Sequence, residues 1–315
     1  MENILEKSKK FYTNPVFVAF GAILCCALWG SATPFIKTGY SLMLPQNLTD
    51  VTKTASTILF AGVRFTFAGV LTIFIYSIAR KKFLYPKKEN LAKVAKVSLF
   101  QTIIQYIFFY IGLANTSGVK GTVLSGSNAF FALLVASLIF RQEKLTLNKV
   151  FACMLGFAGI ILVNLNGLDF NMNFTGDCFV IFSTIAYSVS SVLMKKYSKD
   201  EDPVVISGYQ FFMGGIVMII VGALCGGNIV IGSLKAFAVL TYLAFLSAIA
   251  YALWGVLLKH NPVSKVTIYS FCIPVFGVLL SNLMLTEKSD VSPLNLIITL
   301  ILICSGIIIL NYKKQ

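Results

Sequence analysis

Arg64 falls about ten residues into an unbroken apolar stretch, 55–79. At 1.5 Å per helical residue that is roughly 14 Å deep, near the middle of a hydrocarbon layer about 30 Å thick. A central Arg raises the cost of insertion by about 2.5–3.5 kcal/mol and normally faces a polar interior. Its planar fork suits a carboxylate or phosphate. It equally suits helix ends and backbone carbonyls, and the sequence leaves both uses open.

Other polar groups share that depth. Ser125, Gly126, Ser127 and Asn128 stand in a row inside a later apolar stretch. Lipid offers them no partner, so they serve either close helix contact or hydrogen bonding to a solute. Trp29, Tyr106, Tyr110, Tyr187, Tyr251 and Trp254 bring donors that favour a wet cavity, and Gln105 precedes Tyr106, with Gln101 one turn earlier. Tyr40, Tyr76 and Tyr242 suit the aromatic belts at the membrane surface better. The substrate-binding candidates are therefore Trp29, Arg64, Gln105, Tyr106, Ser127, Asn128, Tyr187, Tyr251 and Trp254.

Catalytic groupings are missing from the sequence. His260 is the sole histidine and falls in a predicted exposed loop; no carboxylates pair inside an apolar stretch. The seven cysteines form no Cys-x-x-Cys motif and read as small hydrophobes, without disulfides or metal. Gly112 to Lys120 lacks the Gly-Lys-Ser/Thr of a phosphate-binding loop. The expectation is no enzyme, no ATP-driven pump, no metal and no cofactor. Asp177, Glu143 and Glu287 lie near stretch ends, where Glu143 and Glu287 are expected to cap or pair locally, for instance with Lys144 and Lys288.

The elements that must position these residues are plain from composition. The chain is 57% hydrophobic and only 12% charged, against about 25% charged in soluble domains. Ten apolar stretches of spanning length lie at roughly 16–38, 55–79, 91–113, 119–140, 147–165, 175–194, 206–226, 235–257, 265–286 and 292–311. The net charge of +14 is a topology signal: with the N-terminus inside, 20 of the 26 Lys and Arg fall on the inner side. This clustering argues against nucleic acid as a partner and places both termini in the cytoplasm of a multi-pass plasma-membrane protein. The basic N-terminus leads into Trp29 and Pro34 without a cleavage site, so the first stretch is a transmembrane helix. The sequons at Asn47 and Asn173 read as chance in a chain of bacterial composition.

The two runs of five stretches resemble each other. Trp29 to Lys37 aligns with Tyr187 to Lys195 at an offset of 158, Arg64-Phe65 with Gln210-Phe211 at 146, Tyr106 with Tyr251 at 145, Glu143 with Glu287 at 144 and Gly159 with Gly306 at 147. Offsets that shift in loops indicate a duplicated unit. The expected organisation is a cytoplasmic N-terminus, 1–15, a first five-helix repeat, 16–165, and a second, 175–312. An odd number of spans per repeat inverts the second in the bilayer, an arrangement typical of secondary transporters.

At Trp29, Gly30, Pro34, Arg64 and the line from Pro274 to Glu287, the chain resembles the drug/metabolite transporter superfamily in its EamA-like ten-helix branch. The first half keeps Glu143 but has Phe130 in place of the proline. The resemblance covers 16–312 and implies an all-α membrane protein of ten helices in two inverted repeats. It further implies a central cavity lined mainly by helices 1, 3, 4, 6, 8 and 9, worked by alternating access. The partners then expected are a small-molecule substrate and membrane lipid, with the protein a monomer or loose dimer. The function expected is export or facilitated exchange of a small polar metabolite, first an amino acid or related compound. The alternative is a phosphorylated or nucleotide-like solute, for which Arg64, Lys37 and Lys120 supply positive charge.

Overall fold

Polar residues at the breaks between apolar stretches start the helices. Asn14 accepts the Val16 amide at 2.9 Å ahead of Pro15, and Asp202 accepts that of Val204 at 2.8 Å ahead of Pro203. Thr49, Ser117 and Ser233 cap their helices in the same way. Each satisfies one of the unpaired first-turn amides, and a proline there has no amide to waste.

The computed structural model describes residues 10–165, 171, 173–284 and 293–311. Ten apolar helices follow one another in the expected order. They are α1 (Pro15–Met43), α2 (Asp50–Ala79), α3 (Lys88–Ala114), α4 (Gly118–Ile139) and α5 (Leu147–Val163), then α6 (Phe174–Tyr197), α7 (Pro203–Leu224) and α8 (Leu234–His260). α9 runs in three pieces, Val263–Thr267, Ile268–Phe271 and Cys272–Met284, and α10 is Pro293–Asn311. Among the described residues nine helices are long and apolar enough to cross a bilayer, and α5, at 17 residues, is the short one.

The halves meet along contacts that repeat with their partners exchanged. A Cβ on Gly62 would stand 2.9 Å from the Gly215 carbonyl, and one on Gly215 2.8 Å from that of Gly62; a Cβ on Gly69 would stand 2.7 Å from the Gly208 carbonyl. Low numbers on α2 meet high numbers on α7, so the two helices run antiparallel, backbone to backbone. α5 and α10 do likewise: a Cβ on Gly159 would meet the Thr299 carbonyl at 3.2 Å, and one on Gly306 the Ala152 carbonyl at 2.6 Å. Such reciprocal pairs are what a two-fold relation produces. In α1, Gly30 lets the backbone touch Phe276 and Gly277 of α9, where a Cβ would come within 2.5 Å of the Phe276 Cβ.

Several local expectations are corrected. α1 continues to Met43 and α2 starts at Asp50 under its Thr49 cap, so the loop is shorter than the gap expected between the stretches 16–38 and 55–79. His260 is the last residue of α8 rather than a loop residue, and its ring stacks on Tyr12 at 4.8 Å. Glu143 does not pair with Lys144. Because α4 ends in a tight turn against the start of α9, Glu143 accepts the Ser264 amide at 3.0 Å and the Ser264 hydroxyl, and pairs with Lys149 at 2.6 Å. Asn173 uses its side chain to cap Gly176 and to bond the Asn115 carbonyl. Glu287 and Lys288, with Lys7, Lys9, Lys313 and Lys314, lie outside the described residues.

Candidate substrate site

Two rings mark the contact between the halves. Phe65 and Phe211 stack face to face, 5.0 Å apart and within 2° of parallel. Beside them the Tyr106 and Tyr251 hydroxyls hydrogen-bond at 2.8 Å. Both are pairs of sequence-equivalent residues, so the relation between the repeats passes through this spot. A stacked aromatic pair such as Phe65–Phe211 contributes about 0.5–1.5 kcal/mol beyond its buried area.

Trp29 and Trp254 extend the cluster. Trp29 meets Tyr251 and Trp254 edge-on, each at 5.0 Å, and Phe211 meets Tyr251 edge-on at 4.7 Å. The close approach of α1 to α9 at Gly30 is what brings the neighbouring Trp29 inward. Tyr187 is buried within the same cluster, and Tyr106 leans on Phe65 at 4.5 Å.

Arg64 sits at the edge of this cluster, 4% exposed. Its guanidinium lies 4.3 Å from the centre of the Phe65 ring and faces the Tyr106 hydroxyl, while its charge also reaches Tyr40 and Tyr251. Among the described residues no carboxylate pairs with it, and Nε has no hydrogen-bond partner. The position equivalent to Arg64 is Gln210, fully buried, whose Oε1 accepts from Thr102 at 2.6 Å and whose Nε2 is unpartnered.

Other buried polar atoms on α1, α3, α4 and α8 share that condition. Trp29 Nε1, Trp254 Nε1, Gln101 Oε1, Gln105 Oε1 and Asn128 Oδ1 are also buried without a partner. A buried unsatisfied polar atom costs about 1–3 kcal/mol, and most such atoms in folded proteins are paired. Several of them lie on the helices that meet at the ring cluster.

Ser127 and Asn128 stand apart from the rings. Ser127 is where α4 breaks, and its hydroxyl turns back to the Leu124 carbonyl at 2.5 Å. Asn128 donates to Ser270 of α9 at 3.4 Å, and its carbonyl accepts from Ser188 of α6 at 3.2 Å. α6 connects the two groups, since Tyr187 joins the rings and the adjacent Ser188 holds Asn128. Sequence reasoning missed Tyr40, which meets Phe60 edge-on at 5.4 Å and packs against the ring cluster, and Tyr242, which bonds Ser31 at 2.8 Å and packs on Phe35. The sequence groups both with the belt aromatics and carries no signal that they turn inward.

Towards the opposite face from Glu143, a polar pocket of about 310 Å³ is lined by Asn115, Thr116, Ser117, Lys120, Asn171 and Asn173. Here Lys120 pairs with Asp177 at 2.7 Å, and both side chains are nearly shut off from solvent. Thr116 donates to the same carboxylate at 2.7 Å. The charge of Lys120 is therefore spent within the protein.

Comparison with known proteins decides what this arrangement belongs to. The family model described as EamA-like transporter family matches residues 16–165 and again 174–312. The chain belongs to the EamA-like transporter family. This membrane transporter is 24% identical over 270 residues to an uncharacterized transporter of Archaeoglobus fulgidus, covering 84% of this chain and 88% of that one. It is 25% identical over 305 residues to the uncharacterized transporter YvbV of Bacillus subtilis, covering 91% and 89%. A solved crystal structure shares the fold, with a TM-score of 0.72 at 17% identity over 94% of this chain and 96% of that one. The family match falls on the two halves that meet at Tyr106 and Tyr251. The transporter is thus an all-α, ten-helix membrane protein of two inverted five-helix repeats.

Proposed function

We propose that the transporter carries a small polar metabolite bearing one carboxylate, first an amino acid or related compound, by alternating access at the Arg64–tyrosine site. The observation that supports this most is Arg64 itself: a buried cation midway along α2, at the junction of the halves, without an acidic partner among the described residues. A substrate carboxylate would neutralise it, with the unpartnered Gln105 and the indoles of Trp29 and Trp254 taking the polar remainder. The reading with a phosphorylated or nucleotide-like solute is weaker, because Lys120 is already held by Asp177 and the Asn171 carbonyl.

The basic face is the cytoplasmic one in this proposal, with both termini there and the protein in the plasma membrane. Within the spans, the described carboxylates sit at helix ends, as Asp177 does at the start of α6. Coupling through a central carboxylate is therefore not part of the scheme, and export or facilitated exchange is its working mode. The test is thermal unfolding of the purified protein against amino acids and against nucleotides, since a ligand that binds the folded state raises its stability by mass action. The proposal expects a saturable shift with an amino acid that disappears in Arg64→Gln. A shift with nucleotides alone, or an amino-acid shift unchanged in Arg64→Gln, overturns it.

A further inference from the structure

We propose that the basic face carries a binding site for the headgroup of an anionic phospholipid, built where α4 and α6 end. A cavity of about 430 Å³ opens there, lined by Phe140, Arg141, Gln142, Lys195, Lys196 and Lys199. Four cations line it and no carboxylate does. The acids nearby are engaged elsewhere: Glu143 with Lys149 and Ser264, and Asp200 with Lys93 at 2.6 Å. A phosphodiester would supply the missing negative charge, and basic pockets between transmembrane helices are suited to lipid headgroups.

The cavity is held in shape by the protein's own bonds. Lys195 donates to the Leu258 and Asn261 carbonyls, which fixes its charge in the wall. The Gln142 side chain donates to the Val192 carbonyl of α6 at 3.2 Å, and the Gln142 amide donates to the Ala136 carbonyl of α4 at 2.8 Å. Between them Arg141 takes a left-handed backbone, φ 51°. Lys196 stands 5.9 Å over the Phe140 ring. Arg141 and Lys199, both exposed, form no ion pair among the described residues. The guanidinium of Arg141 can grip two phosphate oxygens at once, with the lysines as point charges around them.

The flank of the cavity favours a lipid over free phosphate. Leu138 and Ile139, immediately before Phe140, are 59% and 68% exposed. They form an aliphatic strip on the membrane side, one residue from the cations, where acyl chains would run below a bound headgroup. Inorganic phosphate has no use for that strip.

The experiment is thermal unfolding of the full-length protein in detergent, titrated separately with phosphatidylglycerol, phosphatidylcholine and inorganic phosphate. It compares wild type with Arg141→Gln/Lys199→Gln, and with Lys81→Gln/Lys82→Gln as a charge-matched control in an exposed loop. We expect a saturable upward shift with phosphatidylglycerol alone. Half-saturation should weaken roughly 30-fold in Arg141→Gln/Lys199→Gln, from about a factor of five per basic residue, and stay unchanged in the control. The proposal is overturned if phosphatidylcholine or inorganic phosphate gives the same shift, if the site variant keeps it, or if both variants lose it equally. Ligand-free unfolding of the site variant at the wild-type temperature shows that folding is intact; a variant that unfolds without lipid is replaced by Lys199→Gln alone, expected to weaken binding about fivefold.

Discussion

Replacing Glu143 by glutamine should loosen one face of the transporter selectively. Glu143 leaves the end of α4 and crosses to the other half, where it accepts the Ser264 amide at 3.0 Å and the Ser264 hydroxyl at the start of α9. Lys149 pairs with it at 2.6 Å, with the two side chains 19% and 8% exposed for Lys149 and Glu143. Glutamine keeps the length and one acceptor but removes the charge. A hydrogen bond to a charged group contributes about 1.5–3 kcal/mol, against about 0.5–1.5 kcal/mol for a neutral one. With partial solvent screening of the lysine, the net loss across α4 and α9 is about 2 kcal/mol, roughly a 30-fold gain for states in which they separate. Hydrogen–deuterium exchange on the full-length protein reads this directly, because local opening free energies set amide protection. Peptides covering Val263–Phe271 should exchange roughly 30-fold faster in Glu143→Gln, while peptides from α7 should not change. Unchanged protection of Val263–Phe271, or a matching rise in α7, would refute a latch between the halves.

Three further outcomes follow from the packing and the site. Gly215→Val should lower the unfolding free energy by about 1–3 kcal/mol or prevent assembly of α2 on α7, because a Cβ there meets the Thr66 hydroxyl at 2.4 Å; Gly118→Ala, with nothing within 4 Å, should be neutral or slightly stabilising in the same unfolding assay. Asp177→Asn should cost about 3 kcal/mol in that assay, the low end for breaking a buried pair because the pair borders a polar pocket, whereas Arg80→Ala, which breaks the exposed pair with Asp202, should stay within about 1 kcal/mol. Tyr106→Phe and Tyr251→Phe should each cost about 1 kcal/mol, and a double-mutant cycle should return a coupling of about 0.5–1.5 kcal/mol across their 2.8 Å bond; strict additivity would deny that bond.

The helices were legible in the sequence because lipid enforces long apolar runs, separated here by short polar breaks. The pairing of halves was legible through residues that are not merely apolar: Phe65 with Phe211 and Tyr106 with Tyr251 align in sequence and touch in space. What the sequence hid is set by backbone detail. The break at Ser127, the π-helical turns Leu99–Ile104 and Val135–Ile139, and the inward turn of Tyr40 and Tyr242 depend on close helix contacts that hydropathy does not encode. Glu143 was expected to bond within its own loop, yet its partner Ser264 lies 121 positions away, a distance only the folded repeat can close.

Counterflow in proteoliposomes, using whichever amino acid stabilises the purified protein, tests most directly that the solute crosses at the junction of the halves. The account predicts saturable, trans-stimulated exchange in wild type. In Arg64→Gln, loss of a charge-assisted contact of about 2–3 kcal/mol should weaken apparent affinity roughly 30–150-fold, and Arg64→Lys should recover part of it. Wild-type affinity in Arg64→Gln, or flux that never saturates, would contradict it.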